Sequence, residues 1–324
     1  LQVPSLHSGT VPIDATQVFV DPLTRKATYS YRDPLRTTLL SQTSGPLPLP
    51  GPPLNGQGLV SGTPANANSA LTYMSIPTTY ANAGNDLAFG IRTAWDYYSG
   101  AFGRRGLRDL PQGVTARAND AIMWFDTTAT DPNLGMFPST GLIKVSTGTG
   151  WTSFTGIDVV GHEWTHAVFE HDTNGIAYGV DWGSTGGIDE AVADLFGELI
   201  EAYGRASLGL QANSHIADGW VVGDSALPTI RLMCTPSLSP SPPAPVDSWS
   251  AALDDPAVPV EAHVSLGPFD RVFCLLGRGM VPYGSANDTE LQSSVAPAGF
   301  AALGDTVVGR LQYQTLAMFA QFYT

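Results

Sequence analysis

The chain has 324 residues, 43% of them hydrophobic and 14% charged, a balance that supports a packed core and excludes a disordered chain. At about twice the usual domain size it holds two packed halves or one large elaborated domain. Acidic residues outnumber basic ones 29 to 15, for a formal charge of -14, so broad electrostatic attraction to nucleic acid or anionic lipid is excluded. No apolar run approaches the ~18 residues that a membrane span needs, and no membrane partner is expected. The first residue is Leu1, with no charged-then-apolar leader before it. A processed chain, relieved of its targeting segment, is the expectation. Cys234 and Cys274 are the only cysteines; they form one bridge in an oxidising compartment or remain two buried thiols.

The first seventy or so residues lack helical periodicity and are rich in turn formers. Segments 16–20 and 27–31 alternate small or polar with apolar residues, as half-buried strands do. The Pro/Gly-rich stretch 44–58 reads as a loop, because proline lacks the donor that a central strand requires. A helix is predicted over 80–99, with Leu87, Ile91, Ala94, Trp95 and Tyr98 on one stripe. Short strands follow at 114–118, 121–125 and 141–145. Helical patterns then cover 158–170 and 187–203, a second Pro-rich loop covers 235–247, and helices close the chain at 268–277 and 305–322. The fold class is α+β: a β-rich N-terminal domain over 1–180 and a mainly helical C-terminal domain over 181–324.

The segment GIDVVGHEWTHAVFE holds His162, Glu163 and His166 as H-E-x-x-H. Residues four apart share a helical face, so both imidazoles can address one ion while Glu163, on the same turn, acts on a water. Chance alone gives roughly 0.002 such matches in a chain of this composition. Such a zinc site requires a third protein ligand and one open position. Glu190 follows in GGIDEAVADLFGELIE, with Asp194 four residues on and Glu201 eleven residues on, along nearly one stripe. Ala191, Val192, Leu195, Phe196, Leu199 and Ile200 mark that helix as mostly buried, where carboxylates need cations or hydrogen-bond donors.

These stretches, with PTIRLM around Arg231 and EAHVSLGPFDRVFCLL around His263, resemble the thermolysin-like neutral metalloproteases, the gluzincin branch of the zincins. AWDYYSG and RANDAIMW are weaker matches; the resemblance holds from about residue 82 onward and is poor before it. It implies the thermolysin-like fold, with an active-site cleft between the two parts, and a secreted zinc endopeptidase made as a zymogen. His162, His166 and Glu190 then resemble the zinc ligands, and Glu163 the residue that takes a proton from the attacking water. Asp194 resembles the carboxylate that orients His162. His263 and Tyr178 resemble the donors to the oxyanion, and Arg231 the guanidinium that grips a substrate carbonyl. Asp120 stands where the family has an amide that binds the substrate backbone, and a carboxylate there only accepts. Val159 and Ile230 match apolar walls for a bulky residue after the scissile bond.

The resemblance also implies calcium. Asp158, Glu201 and Asp224 match its ligands, Asp218 is a fourth candidate, and Val221 replaces an acidic ligand of the two-calcium form, so one calcium ion is expected. Asp158 is alternatively a helix N-cap. Asp254, Asp255 and Glu261 are equal candidates to orient His263. The family continues with further helices after the one ending at Thr324. Either the fold closes without them or a separate C-terminal fragment completes it. Protein or peptide substrates are the expected partners. The rival reading is a non-catalytic binding protein on the same scaffold.

Overall fold

The structure is a computed structural model. It describes residues 2–5, 7–14, 16–20, 27–30, 39–41, 81–107, 109, 122–126, 133–137, 142–146, 154–173, 182–210, 220–225, 229–284, 291–294 and 298–322. The chain divides into two compact units, Leu1–Val168 and Phe169–Thr324. Among the described residues no helix is long and apolar enough to cross a membrane.

In the first unit β1 (Gln2–Pro4) pairs antiparallel with β2 (Thr10–Pro12), and β3 (Thr16–Val20) with β4 (Ala27–Ser30). The second hairpin matches the two alternating segments of the sequence. A four-stranded sheet has the order β5 (Leu39–Ser41), β6 (Ile122–Asp126), β8 (Leu142–Ser146), β7 (Asn133–Phe137). β5, β6 and β8 run parallel, and β7 is antiparallel to β8. β7, with sequence NLGMF, has little strand propensity of its own; it forms by pairing all five residues with β8. The loop expected over 44–58 and the strand expected over 114–118 lie outside the described residues.

Helix α1 (Ala81–Phe102) runs three residues past its predicted end. Leu87, Ile91, Ala94 and Tyr98 form its buried stripe, each at most 1% exposed. It meets α2 (Ile157–Asp172), the helix of the H-E-x-x-H motif. A Cβ on Gly90 would stand 2.7 Å from Val160 Cγ1, so only glycine allows this approach. One turn further along, Tyr98 Oη and Thr165 Oγ1 share a 3.0 Å hydrogen bond, while Thr165 also donates to the Gly161 carbonyl at 2.8 Å. Packing and these buried bonds fix the rotation of α2, and hence the direction of its histidines.

The second unit is built around α3 (Gly183–Ser207), whose Ala191, Val192, Leu195, Phe196 and Ile200 are fully buried. Against it pack α4 (Ala262–Ser265), α5 (Gly267–Arg278) and α6 (Asp305–Phe322). The two-residue strands β9 (Val221–Val222) and β10 (Arg231–Leu232) pair antiparallel, Arg231 opposite Val222. The Pro-rich loop begins with a 3-10 turn, Pro236–Leu238. Cys234 and Cys274 form a disulfide that ties the segment after β10 to α5, with Cα atoms 5.4 Å apart. This settles the choice that the sequence left open in favour of the bridge.

The disulfide closes a stretch of 40 residues, which by chain entropy stabilises the fold by about 4 kcal/mol. Replacing both cysteines with alanine is therefore expected to lower the unfolding free energy by up to that amount, read from urea melts. The same melts of the parent protein should shift on adding a reductant.

Candidate metal centre

On α2, His162 and Glu163 are 5% and 7% exposed. The rings of His162 and His166 meet edge to face, centroids 4.5 Å apart, and their Nε2 atoms stand 2.9 Å apart. Two nitrogens on one tetrahedral zinc lie about 3.3 Å from each other, given bond lengths of ~2.0–2.1 Å. The observed pair is thus already close to a two-ligand arrangement. His162, His166 and Glu190 each offer one ligand atom, a ring nitrogen or a carboxylate oxygen. Two imidazoles and one carboxylate suit zinc, and that donor set leaves a fourth position open.

Glu190 lies on the second turn of α3, where it meets His263. His263 Nε2 is 3.2 Å from Glu190 Oε2, and its Nδ1 is 2.5 Å from Glu261 Oε1. Glu261 is also the N-cap of α4: its other carboxylate oxygen accepts from the His263 backbone N–H at 3.0 Å. One carboxylate therefore grips both the main chain and the ring of His263, which fixes its orientation. Of the three candidates to hold this ring, the structure selects Glu261. Asp254 instead accepts from the backbone N–H and hydroxyl of Ser184, at 2.7 and 2.9 Å, and Asp255 accepts from Ala257 N–H. Burial opposes a charge on His263, but Glu190 and Glu261 outweigh both burial and Arg231, and its pKa rises to about 9. With 49% of its side-chain surface reaching solvent, the ring is only partly desolvated.

One turn beyond Glu190 is Asp194, fully buried. Arg231 donates to it from both Nε and Nη2, each at 2.6 Å. Burial alone would lower the pKa of Arg231, yet the charge and hydrogen bonds of Asp194 raise it above the ordinary value. Asp194 and Arg231, expected to have separate tasks, are partners in the structure, and the fork leaves Nη1 of Arg231 for another acceptor.

Of the remaining site residues predicted from sequence, Asp158, Val159 and Glu201 are buried, whereas Asp224 and Ile230 are half-buried. Ile230 presses on Gly223, where an added Cβ would lie 2.4 Å from Ile230 Cγ1. Tyr178, Asp120 and Asp218 lie outside the described residues. Glu198, buried on α3 three residues before Glu201, is a further carboxylate that could serve a metal ion with Asp158 and Glu201. Sequence reasoning passed over Glu198, although two glutamates three apart in GELIE on a buried helix were the signal. It also passed over Asp270, an acid in the apolar run GPFDRVFCLL, which is 1% exposed.

Zinc titrated into metal-stripped protein is expected to saturate at one ion of high affinity, read by competition with a chromophoric chelator. His162→Ala, His166→Ala and Glu190→Gln should each abolish that competition.

Residues 25–170 match the family model of the thermolysin metallopeptidase catalytic domain. The chain is 28% identical over 209 residues to the transglutaminase-activating metalloprotease of Streptomyces mobaraensis, covering 62% of this chain and 24% of that protein. It is 33% identical over 129 residues to bacillolysin of Bacillus caldolyticus, covering 40% of this chain and 22% of that protein. The matches thus span about a quarter of the length of these curated relatives. Among solved structures, the precursor of protealysin, a metalloproteinase from Serratia proteamaculans, superposes with a TM-score of 0.51 at 17% identity. That superposition covers 88% of this chain and 85% of the other, and it establishes a shared fold. The chain is thus similar to the thermolysin metallopeptidase catalytic domain over a stretch that includes His162, Glu163 and His166, and it shares the fold of a metalloproteinase precursor.

Proposed function

We propose that the chain is a secreted zinc endopeptidase that hydrolyses internal peptide bonds of protein or peptide substrates. The observation that carries this reading is the pair of facing imidazole nitrogens with Glu163 on the same helical turn. A zinc ion held by His162, His166 and Glu190 would supply Lewis acidity toward a water and the scissile carbonyl. Glu163, nearly buried, takes the proton of the attacking water and passes it to the leaving amine. His263 presents its Nε2 proton to the carbonyl oxygen as negative charge develops there, with Glu261 holding the ring, and Tyr178 supplies a second donor. No side chain forms a covalent bond to the substrate.

Arg231 directs Nη1 to a substrate carbonyl and stays charged throughout. Asp120 accepts from a substrate backbone N–H, the one role open to an ionised carboxylate. Val159 and Ile230 select a bulky apolar residue after the scissile bond. One calcium ion, held by Asp158 and Glu201 with Glu198 beside them and Asp224 and Asp218 as further oxygen donors, is the structural metal of this reading. The domain organisation that accompanies it is a β-rich part over 1–180 and a mainly helical part over 181–324.

Cleavage of an internally quenched peptide library is expected to stop on chelation and return with zinc. In Glu163→Gln it should fall by on the order of 10²- to 10⁴-fold at unchanged zinc content, since the proton carrier is lost and the ligands are kept. A zinc-saturated protein that cleaves no peptide overturns the enzyme reading in favour of a binding protein.

A further inference from the structure

Two tryptophans stand on the surface of the second unit, Trp182 at 51% and Trp249 at 56% exposure. Both are anchored. The Trp249 indole N–H donates to Ser184 Oγ at 3.0 Å. Asp254 accepts from the hydroxyl and the backbone N–H of the same serine, at 2.9 and 2.7 Å. Ser184 is the second residue of α3, so these bonds pin the segment around 249–254 to the start of that helix. Trp182 directly precedes α3 in extended conformation, and its main chain forms an antiparallel bridge with Glu261. Glu261 is the acid that grips His263. Both indoles are therefore held at the start of α3, one of them on main chain paired with the residue that orients His263. With its N–H already bonded, the Trp249 ring has only its faces to offer a ligand.

The charges around them have one sign. Segments 182–204 and 235–270 contain no lysine and no arginine, whereas Asp254, Asp255 and Glu261 follow Trp249 within twelve residues. The His263 ring, the remaining basic group of these segments, is held between Glu190 and Glu261. An uncovered indole face attracts apolar side chains and cations alike; acids beside it tip the choice toward a cation. Lysine and arginine meet both demands, because the stem covers apolar surface while the charged head lies over the ring or reaches the acids. We propose that Trp182 and Trp249 form a subsite for a basic side chain, lysine or arginine, of a bound peptide. That this peptide is a substrate rests on the endopeptidase reading above; the recognition of its basic side chain does not.

The test uses the Glu163→Gln chain, which holds peptides without turning them over. Fluorescence polarisation reads its affinity for labelled alanine-rich peptides in which lysine, or its uncharged counterpart norleucine, is moved through each position. At one position lysine is expected to bind about three- to tenfold more tightly than norleucine at low salt, and the advantage should shrink as salt is added. Adding Trp182→Leu and Trp249→Leu together should bring that ratio to about one. Adding Trp182→Phe and Trp249→Phe should keep part of it, since phenylalanine retains an aromatic face and loses the bond to Ser184. Thermal melts accompany all variants; if the leucine pair does not fold, the same loss is required of Trp182→Leu, in which the Trp249–Ser184 bond is kept. The proposal is overturned by equal binding of lysine and norleucine peptides at every position, which would leave an apolar occupant or none. It is also overturned by a lysine advantage that survives in the folded leucine variant. A zinc-saturated parent that cleaves nothing while the lysine advantage persists would sink the enzyme reading and leave this subsite standing.

Discussion

Burying Asp194 commits the second unit to bringing a cation to it. The carboxylate has no exposure to water, and α3 surrounds it with apolar side chains. A lone ionised acid in such a place is not tolerated, and losing one partner of a buried pair costs about 3–5 kcal/mol. Arginine suits the task better than lysine, because its planar fork meets both carboxylate oxygens at once. Arg231 reaches Asp194 from a two-residue strand, a weak platform by itself. That strand is secured by its ladder to β9 and, three residues later, by the Cys234–Cys274 bridge to α5. Fork, ladder and disulfide therefore constrain one short segment from three directions.

The same logic runs along α3. Glu190, Asp194, Glu198 and Glu201 follow one another at three- or four-residue spacing, so each adds to the negative potential felt by the next. The chain answers in part position by position: His263 at 3.2 Å from Glu190, Arg231 at 2.6 Å from Asp194, and Arg205 at 3.6 Å from Glu201. The His263 contact also places a hydrogen-bond donor beside a residue proposed as a zinc ligand. An acidic stripe on a buried helix thus becomes a device for collecting cationic and donor groups.

The helices were legible because their apolar positions repeat with the helical period. The last one, predicted over 305–322, ends where the structure ends it, and α2 and α3 extend their predicted spans by a few residues at each end. H-E-x-x-H was legible because its chemistry depends on spacing within one helix. What depends on tertiary approach was not. Asp194 and Arg231 are 37 residues apart and carry no local sign of their pairing. Glu261 could not be chosen over Asp254 and Asp255 by counting; the choice rests on which acid caps α4 and which caps the start of α3. β7 owes its existence to its neighbour in the sheet, and a composition with glycine at its centre conceals it.

The distance between Glu190 and His263 depends on a position with no chemistry of its own. Gly187 precedes Glu190 by three residues and lies against Ser265, two residues after His263. A Cβ at 187 would stand 2.7 Å from the Ser265 carbonyl carbon and oxygen, backbone atoms that move only with the whole of α4. Ser265 adds a hydrogen bond of 2.7 Å from its hydroxyl to the Gly183 carbonyl, and Gly183 N–H donates to Val260 at 2.7 Å. The start of α3 and the entry to α4 are thereby stitched together on both sides of the glycine contact. Because interiors are close-packed, a side chain at 187 has no void to enter and would act on the spacing of the two elements instead. The 3.2 Å approach of His263 to Glu190 is thus set by the absence of a side chain one turn away.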